Sequence, residues 1–111
     1  MPSIEPLSGK PHFARVHSTG ARCSRDGVTA IVCPRDEGPA RLGLSVGKAA
    51  GKAVIRNRIR RRLREAFRAY GPGAGDVVLI GRRAVATEPF PRVEEYVRTC
   101  LAQAGMPRSA S

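Results

Sequence analysis

The stretch from Gly51 to Arg68, GKAVIRNRIRRRLREAFR, decides most of what this chain can become. Set on a helix at about 100° per residue, Ile55, Ile59, Leu63, Ala66, Phe67 and, just beyond, Tyr70 gather in one apolar stripe. Asn57, Arg61, Arg64 and Arg68 gather on the opposite side, with Arg58 and Arg62 on one flank and Arg60 on the other. The stripe must be buried, and a sheet is the surface expected to bury it. Seven arginines lie between Arg56 and Arg68, and Glu65 is the one acid among them. Like charges four residues apart repel by a few tenths of a kcal/mol per pair, so an array of phosphates would relieve this helix.

A second regularity runs through the same region. Lys48, Lys52, Arg56, Arg60, Arg64 and Arg68 recur at every fourth residue. Each step of four turns about 40° past a full turn and rises about 6 Å. From Lys52 onward these cations form a ridge that winds slowly around the helix, a shape able to follow a curved phosphate backbone.

Composition supports a polyanionic partner. The 111 residues carry 20 Lys and Arg against 9 Asp and Glu, a net charge of +11 with pI near 11.2. Such a field draws polyanions and speeds their capture, with an affinity that falls steeply with salt. Only Lys10, Lys48 and Lys52 are lysines, and arginine offers the planar donor fork suited to phosphates and base edges. At 41% hydrophobic the chain is a folding sequence, and its length suits one small domain. With aromatics at 5% and no Trp, its core must rest on Val, Ile, Leu and Ala. Cys23, Cys33 and Cys100 are an odd set without a CxxC, which argues against a zinc site or disulfide framework and suits a reducing cytoplasm. No signal peptide and no membrane span are expected.

Around the basic helix the other elements read as α+β, one domain over residues 1–111. The ordered core is expected at about 7–105, with loose tails at 1–6 and 106–111. Lys10 to Thr19 reads as a short helix, with Pro11 in its first turn and Gly20 at its stop. Gly27 to Cys33 and Ala40 to Val46 read as strands, the second with Leu42, Leu44 and Val46 on one face. The turn-rich Pro34 to Pro39 between them predicts an antiparallel hairpin, and Cys23 with its neighbours can add a short edge strand. Gly71, Pro72 and Gly73 stop the basic helix. Asp76 to Gly81 is a continuous apolar run, read as a buried strand. Pro91 to Ala104 forms a last amphipathic helix through Val93, Tyr96, Val97, Cys100 and Leu101.

Three other readings of the basic helix compete. A solvated face usually mixes both signs of charge, which this one does not. A membrane-surface helix needs a richer apolar face than this stripe, which the strands themselves need. DNA is not separated from RNA by charge alone.

A family resemblance points to RNA. The run from Arg41 to Arg68, RLGLSVGKAAGKAVIRNRIRRRLREAFR, resembles the signature of the protein subunit of bacterial ribonuclease P. Within it, Gly51-Lys52-Ala53-Val54, Arg56-Asn57-Arg58 and Arg64-Glu65 look like that family's arginine–asparagine–arginine motif. The Phe13, Val16, Gly20 spacing upstream and Asp76 before its apolar strand fit as well. The resemblance spans roughly Leu7 to Gly105. It implies a small two-layer sandwich in the order α-β-β-β-α-β-α with a left-handed crossover. It implies the catalytic RNA subunit as partner and precursor tRNA as substrate, whose 5′ leader the holoenzyme removes. No obligate protein partner is implied.

Carried over residue by residue, the resemblance assigns RNA binding to Lys48, Lys52, Arg56, Asn57, Arg58, Arg60, Arg61, Arg62, Arg64 and Arg68. It assigns a leader-binding cleft to Phe13, Val16, His17 and Ile31. Two departures stand out. Ala49 follows Lys48 where the family usually has a second lysine, and His17 and Ile31 stand where it often has aromatics. Base stacking in the cleft is expected to be weaker for it.

No catalytic site is expected in the protein. Its nine acids are scattered, its only histidines are His12 and His17, and Ser45 lacks a base. The resemblance places the chemistry, and its Mg2+, in the RNA subunit. Two alternatives stay open: a general basic RNA-binding protein of ribosomal or RNA-chaperone type, and an autonomous protein nuclease.

Overall fold

A computed structural model describes residues 4–7 and 9–109. Its elements are β1 (Ile4–Pro6), α1 (Lys10–Thr19), β2 (Ala21–Arg25), β3 (Val28–Pro34), β4 (Ala40–Val46), a single 3-10 turn (Lys48–Ala50), α2 (Ala53–Tyr70), β5 (Gly75–Gly81), α3 (Ala84–Thr87) and α4 (Phe90–Gln103). The five strands form one sheet in the order β1-β4-β5-β3-β2.

The expected hairpin of β3 and β4 does not form. β5 lies between them, antiparallel to β3 from Val28↔Gly81 to Pro34↔Gly75 and parallel to β4 from Ala40↔Gly75 to Val46↔Gly81. The reason is burial. Val77, Val78 and Leu79 are completely buried, so β5 needs a strand on each side and a helix layer over each face. The loop from 35 to 39 carries the chain across the end of β5, where the Arg35 N–H donates to the Ala74 carbonyl at 3.2 Å. The antiparallel hairpin that does form joins β2 to β3.

The two faces of the sheet are covered differently. Val28, Ala30, Val32, Leu42, Val77 and Leu79 meet α2, α3 and α4 in the main core. Ile31 and Val78 point the other way, into a small cluster with Val16 of α1 and Leu7. On the main face, Ile59 and Leu63 of α2 lie directly over Gly81. A Cβ added there would stand 2.5 Å from Ile59 Cγ2 and 2.8 Å from Leu63 Cδ1.

Both ends of the chain depart from the expected tails. Residues 4–6 pair with β4 in parallel, Ile4↔Ala40 to Pro6↔Leu42, and the Leu7 N–H donates to the Leu42 carbonyl at 3.0 Å. Met106 is buried, and its carbonyl accepts from the Tyr70 hydroxyl at 2.6 Å. Ser109 N–H donates to the Gly71 carbonyl at 2.7 Å, and the Arg108 guanidinium stacks 4.6 Å from the centre of the Tyr70 ring. The rest of the expected tails, residues 1–3, 110 and 111, lies outside the described residues.

Candidate nucleic-acid interface

The interface begins with how α2 is set. Ile59, Leu63, Ala66, Phe67 and Tyr70 are buried, and Ile55 at the N-terminal end is half-buried, so the stripe read from the sequence is the packed side. The remaining circumference faces outward. Lys48, Lys52, Asn57, Arg58, Arg61, Arg64 and Arg68 are exposed, while Arg56, Arg60 and Arg62 are half-buried. No acid lies in the first turn of α2. Positive charge there, together with the positive end of the helix dipole, leaves that end able to accept an anion.

The arginines divide into groups by what they touch. Arg62 turns back to the protein: its Nη1 donates to the carbonyls of Val85 at 3.0 Å and Glu88 at 2.5 Å, which fastens α3 to α2. Arg60 Nη1 donates to Asn57 Oδ1 at 2.9 Å, one turn back, so Asn57 steadies a cation of the ridge. Arg60, Arg64 and Arg68 together form one wall of a groove of about 420 Å³. Its other walls are β1 with Leu7, then Leu42, Gly43 and Leu44 of β4, and Phe13 of α1. Val54 is the one exposed large hydrophobic residue among the described residues, at 80% exposure, and it lies on the first turn of α2, between Lys52 and Arg56 in sequence.

Three of the four residues assigned to a leader cleft meet on the α1 side of the sheet, where Phe13 packs against the cluster that holds Val16 and Ile31. Val16 and Ile31 are completely buried against each other under α1, so they form the support of that region and not its exposed wall. His17 is exposed. Phe13 is half-buried and faces the groove that holds Arg60, Arg64 and Arg68.

One charged cluster was not read from the sequence. Asp76, at the start of β5, is a completely buried carboxylate ringed by cations from three other segments. Arg15 of α1 lies 2.5 Å from its Oδ2, and Arg35 and Arg41 lie 3.6 and 3.9 Å from its Oδ1. The available signal was a lone acid opening an apolar strand, DVVLIG, which must find a partner if the strand is buried.

Chemistry of other kinds has little to build on. Among the described residues no three of His, Cys, Asp and Glu lie close enough to hold a metal ion. Burial pushes the Cys100 thiol up to about 12, with a further upward push from neighbouring Cys23, so it is no thiolate nucleophile at neutral pH. No described helix is long and apolar enough to cross a membrane.

The comparisons agree with this geometry. No curated protein matches the chain significantly. The fold superimposes on the RNase P protein of Staphylococcus aureus with a TM-score of 0.80 at 24% identity, covering 93% of this chain and 97% of that one. It superimposes on the RNase P protein of Thermotoga maritima with a TM-score of 0.73 at 26% identity, covering 86% and 93%. The model of the Ribonuclease P family matches residues 1–105. With a winding cationic ridge on a helix packed over this sheet, and a family match over nearly its whole length, the chain belongs to the ribonuclease P family as a bacterial RNase P protein subunit.

Proposed function

We propose that the protein docks on the catalytic RNA of ribonuclease P through the outward side of α2 and helps that RNA remove the 5′ leader of precursor tRNA. The observation that carries this is the ridge. Of the ridge cations on α2 and at its start, Lys52, Arg64 and Arg68 are exposed and Arg56 and Arg60 half-buried, and none forms a salt bridge to an acid among the described residues. Their charge is left for phosphates, the dominant source of affinity for nucleic acid. The leader would run along α1 on the side of the sheet away from α2, with His17 at the exposed border and Val16 and Ile31 supporting it from below.

The protein itself contributes no hydrolytic step in this reading. Magnesium supplies the charge stabilisation of phosphodiester cleavage when it is bound, and the residues here do not fit it. Asp76, the one fully buried carboxylate among the described residues, faces three guanidinium groups that would repel a cation. We therefore assign Mg2+ to the RNA subunit.

Reconstitution tests the reading. Purified protein is added to a bacterial ribonuclease P RNA and precursor tRNA at low magnesium. Cleavage at the mature 5′ end should rise with the protein and be absent with the protein alone. No enhancement would defeat the proposal, and cleavage by the protein alone would turn it into a nuclease.

A further inference from the structure

We propose that the rim of the sheet at Arg25, Arg82 and Arg83 is a second contact surface for the RNA subunit, reached from α2 by way of Lys48. The proposal rests on the assignment of α2 to RNA made above and adds a surface outside that helix.

Strand register builds the rim. Val46 pairs with Gly81, Gly81 with Val28, and Val28 with Arg25, so β4, β5, β3 and β2 end or turn in one row. Neighbouring strands lie about 4.8 Å apart, so the row crosses roughly 14 Å of sheet. Cations stand at or just past this row. Arg25 closes β2, Arg82 and Arg83 follow β5, and Lys48 follows β4 by two residues. All four are exposed.

The rim has one sign of charge. Asp26, exposed in the β2–β3 turn, is the one acid in segments 25–28, 46–48 and 81–84, which keep a net charge of +3. Glu88 stands at the far end of α3, where its Oε1 accepts from the Tyr96 hydroxyl at 3.1 Å. α4 differs: Arg92 and Arg98 share it with Glu94 and Glu95, the mixture of a solvated face.

The rim is also set in place before any partner arrives. The Arg82 N–H donates to the Gly27 carbonyl at 2.9 Å, and its Nη2 donates to Thr29 Oγ1 at 3.2 Å. These bonds hold the β5–α3 connection against the β2–β3 turn. The partners are neutral oxygens, so the charge of Arg82 stays available, and an ordered side chain loses less entropy on binding. Arg62 joins α3 to α2, which fixes the spacing between ridge and rim. A fixed spacing suits the held phosphates of a folded RNA better than a flexible leader. RNA lying along the ridge would continue past Lys48 onto the rim.

The test measures affinity for the RNA subunit against salt. A double variant, Arg25→Gln with Arg83→Gln, spares Arg82 and its bonds. Its slope of log affinity against log salt should fall by about two. Between about 50 and 200 mM salt it should then lose about tenfold less affinity than wild type. Arg98→Gln on α4 should keep the wild-type slope. Asp26→Asn removes the acid of the rim and suits the positive φ of 48° at that position. It should bind more tightly at low salt, and it decides the matter if the double variant misfolds. A wild-type slope in the double variant, or no gain in Asp26→Asn, alongside weakened Arg60→Ala and Arg64→Ala, would overturn the rim. An equal loss in Arg98→Gln would also overturn it, since net charge alone would then act. Losses seen only with precursor tRNA on the assembled holoenzyme would overturn it in favour of the substrate. Wild-type binding by Arg60→Ala and Arg64→Ala would instead defeat the assignment of α2 to RNA.

Discussion

The guanidinium of Arg15 meets the carboxylate of Asp76 at 2.5 Å across 61 residues of sequence, and this contact fixes α1 to the centre of the sheet. Asp76 has no exposure, while the Arg15 side chain is half exposed. The remaining oxygen, Oδ1, has no hydrogen bond and relies on Arg35 and Arg41 for charge. The acid therefore depends on all three cations more than any one cation depends on it. Removing a partner from a fully buried ion pair costs about 3–5 kcal/mol. The exposure of these arginines lets them return to water and lowers that figure. Asp76→Ala is expected to destabilise the protein by about 2–3 kcal/mol. Arg15→Ala should cost about 1 kcal/mol, because Arg35 and Arg41 stay. Urea midpoints of the two variants test the order, and an Arg15→Ala loss equal to that of Asp76→Ala would contradict it.

The seat of α2 on the sheet gives a second expectation. Ile59 and Leu63 occupy the space a side chain at position 81 would need. Gly81→Ala must push α2 outward or force these two side chains off their rotamers, at a cost of about 1–3 kcal/mol. Because α2 carries the ridge and one wall of the groove, RNA affinity should fall along with thermal stability. An Ala variant of wild-type stability would mean that α2 yields more easily than its packing suggests.

Much of this was legible in the sequence, and the parts that were not share a physical cause. The stripe of α2 could be read because helical period and burial coincide: Ile59, Leu63, Ala66, Phe67 and Tyr70 are all buried. The order of strands could not, because a turn-rich loop such as 34–39 says that two strands are joined but not whether a third comes between them. Residues 4–6 have no periodicity of their own and become a strand only because the edge of β4 is there to pair with. The ordering of Met106 and Arg108 depends likewise on Tyr70, 36 residues away from Met106. Arg62 looked like its neighbours on the helix because charge pattern carries no information about which cation finds a carbonyl nearby.

That difference can be measured. Arg62→Ala removes two hydrogen bonds from a charged donor to the end of α3. Charge-assisted bonds of this kind contribute about 1.5–3 kcal/mol each when intact. Because both bonds share one Nη1 donor and Arg62 is partly exposed, the total loss falls below the sum of two such bonds, at about 1–2 kcal/mol. Its salt slope for RNA binding should stay close to wild type. Arg61→Ala, at an exposed position with no side-chain partner among the described residues, should do the reverse: unchanged unfolding, and a slope reduced by about one phosphate contact. A lowered slope in Arg62→Ala with unchanged stability would return that residue to the RNA-binding set.

Cys100 sets the behaviour at high pH. Its thiol is completely buried in the core of α4, and burial, reinforced by Cys23, raises it from 9.0 to about 12. The folded chain thus keeps a proton that the unfolded chain gives up above about pH 9. Where the native state binds more protons than the unfolded one, stability falls as pH rises. The contribution is complete below pH 9 and is lost progressively as pH climbs toward 12, by at most about 1.4 kcal/mol per pH unit. Cys100→Ala leaves a small cavity and starts less stable at pH 8, by about 1 kcal/mol. It lacks the titrating thiol, so between pH 8 and pH 10.5 the gap to wild type should close, and it reverses if the full loss of about 2 kcal/mol is realised. Urea midpoints of both proteins at the two pH values decide the matter, and a gap that stays constant would show that the thiol does not govern the alkaline loss of stability.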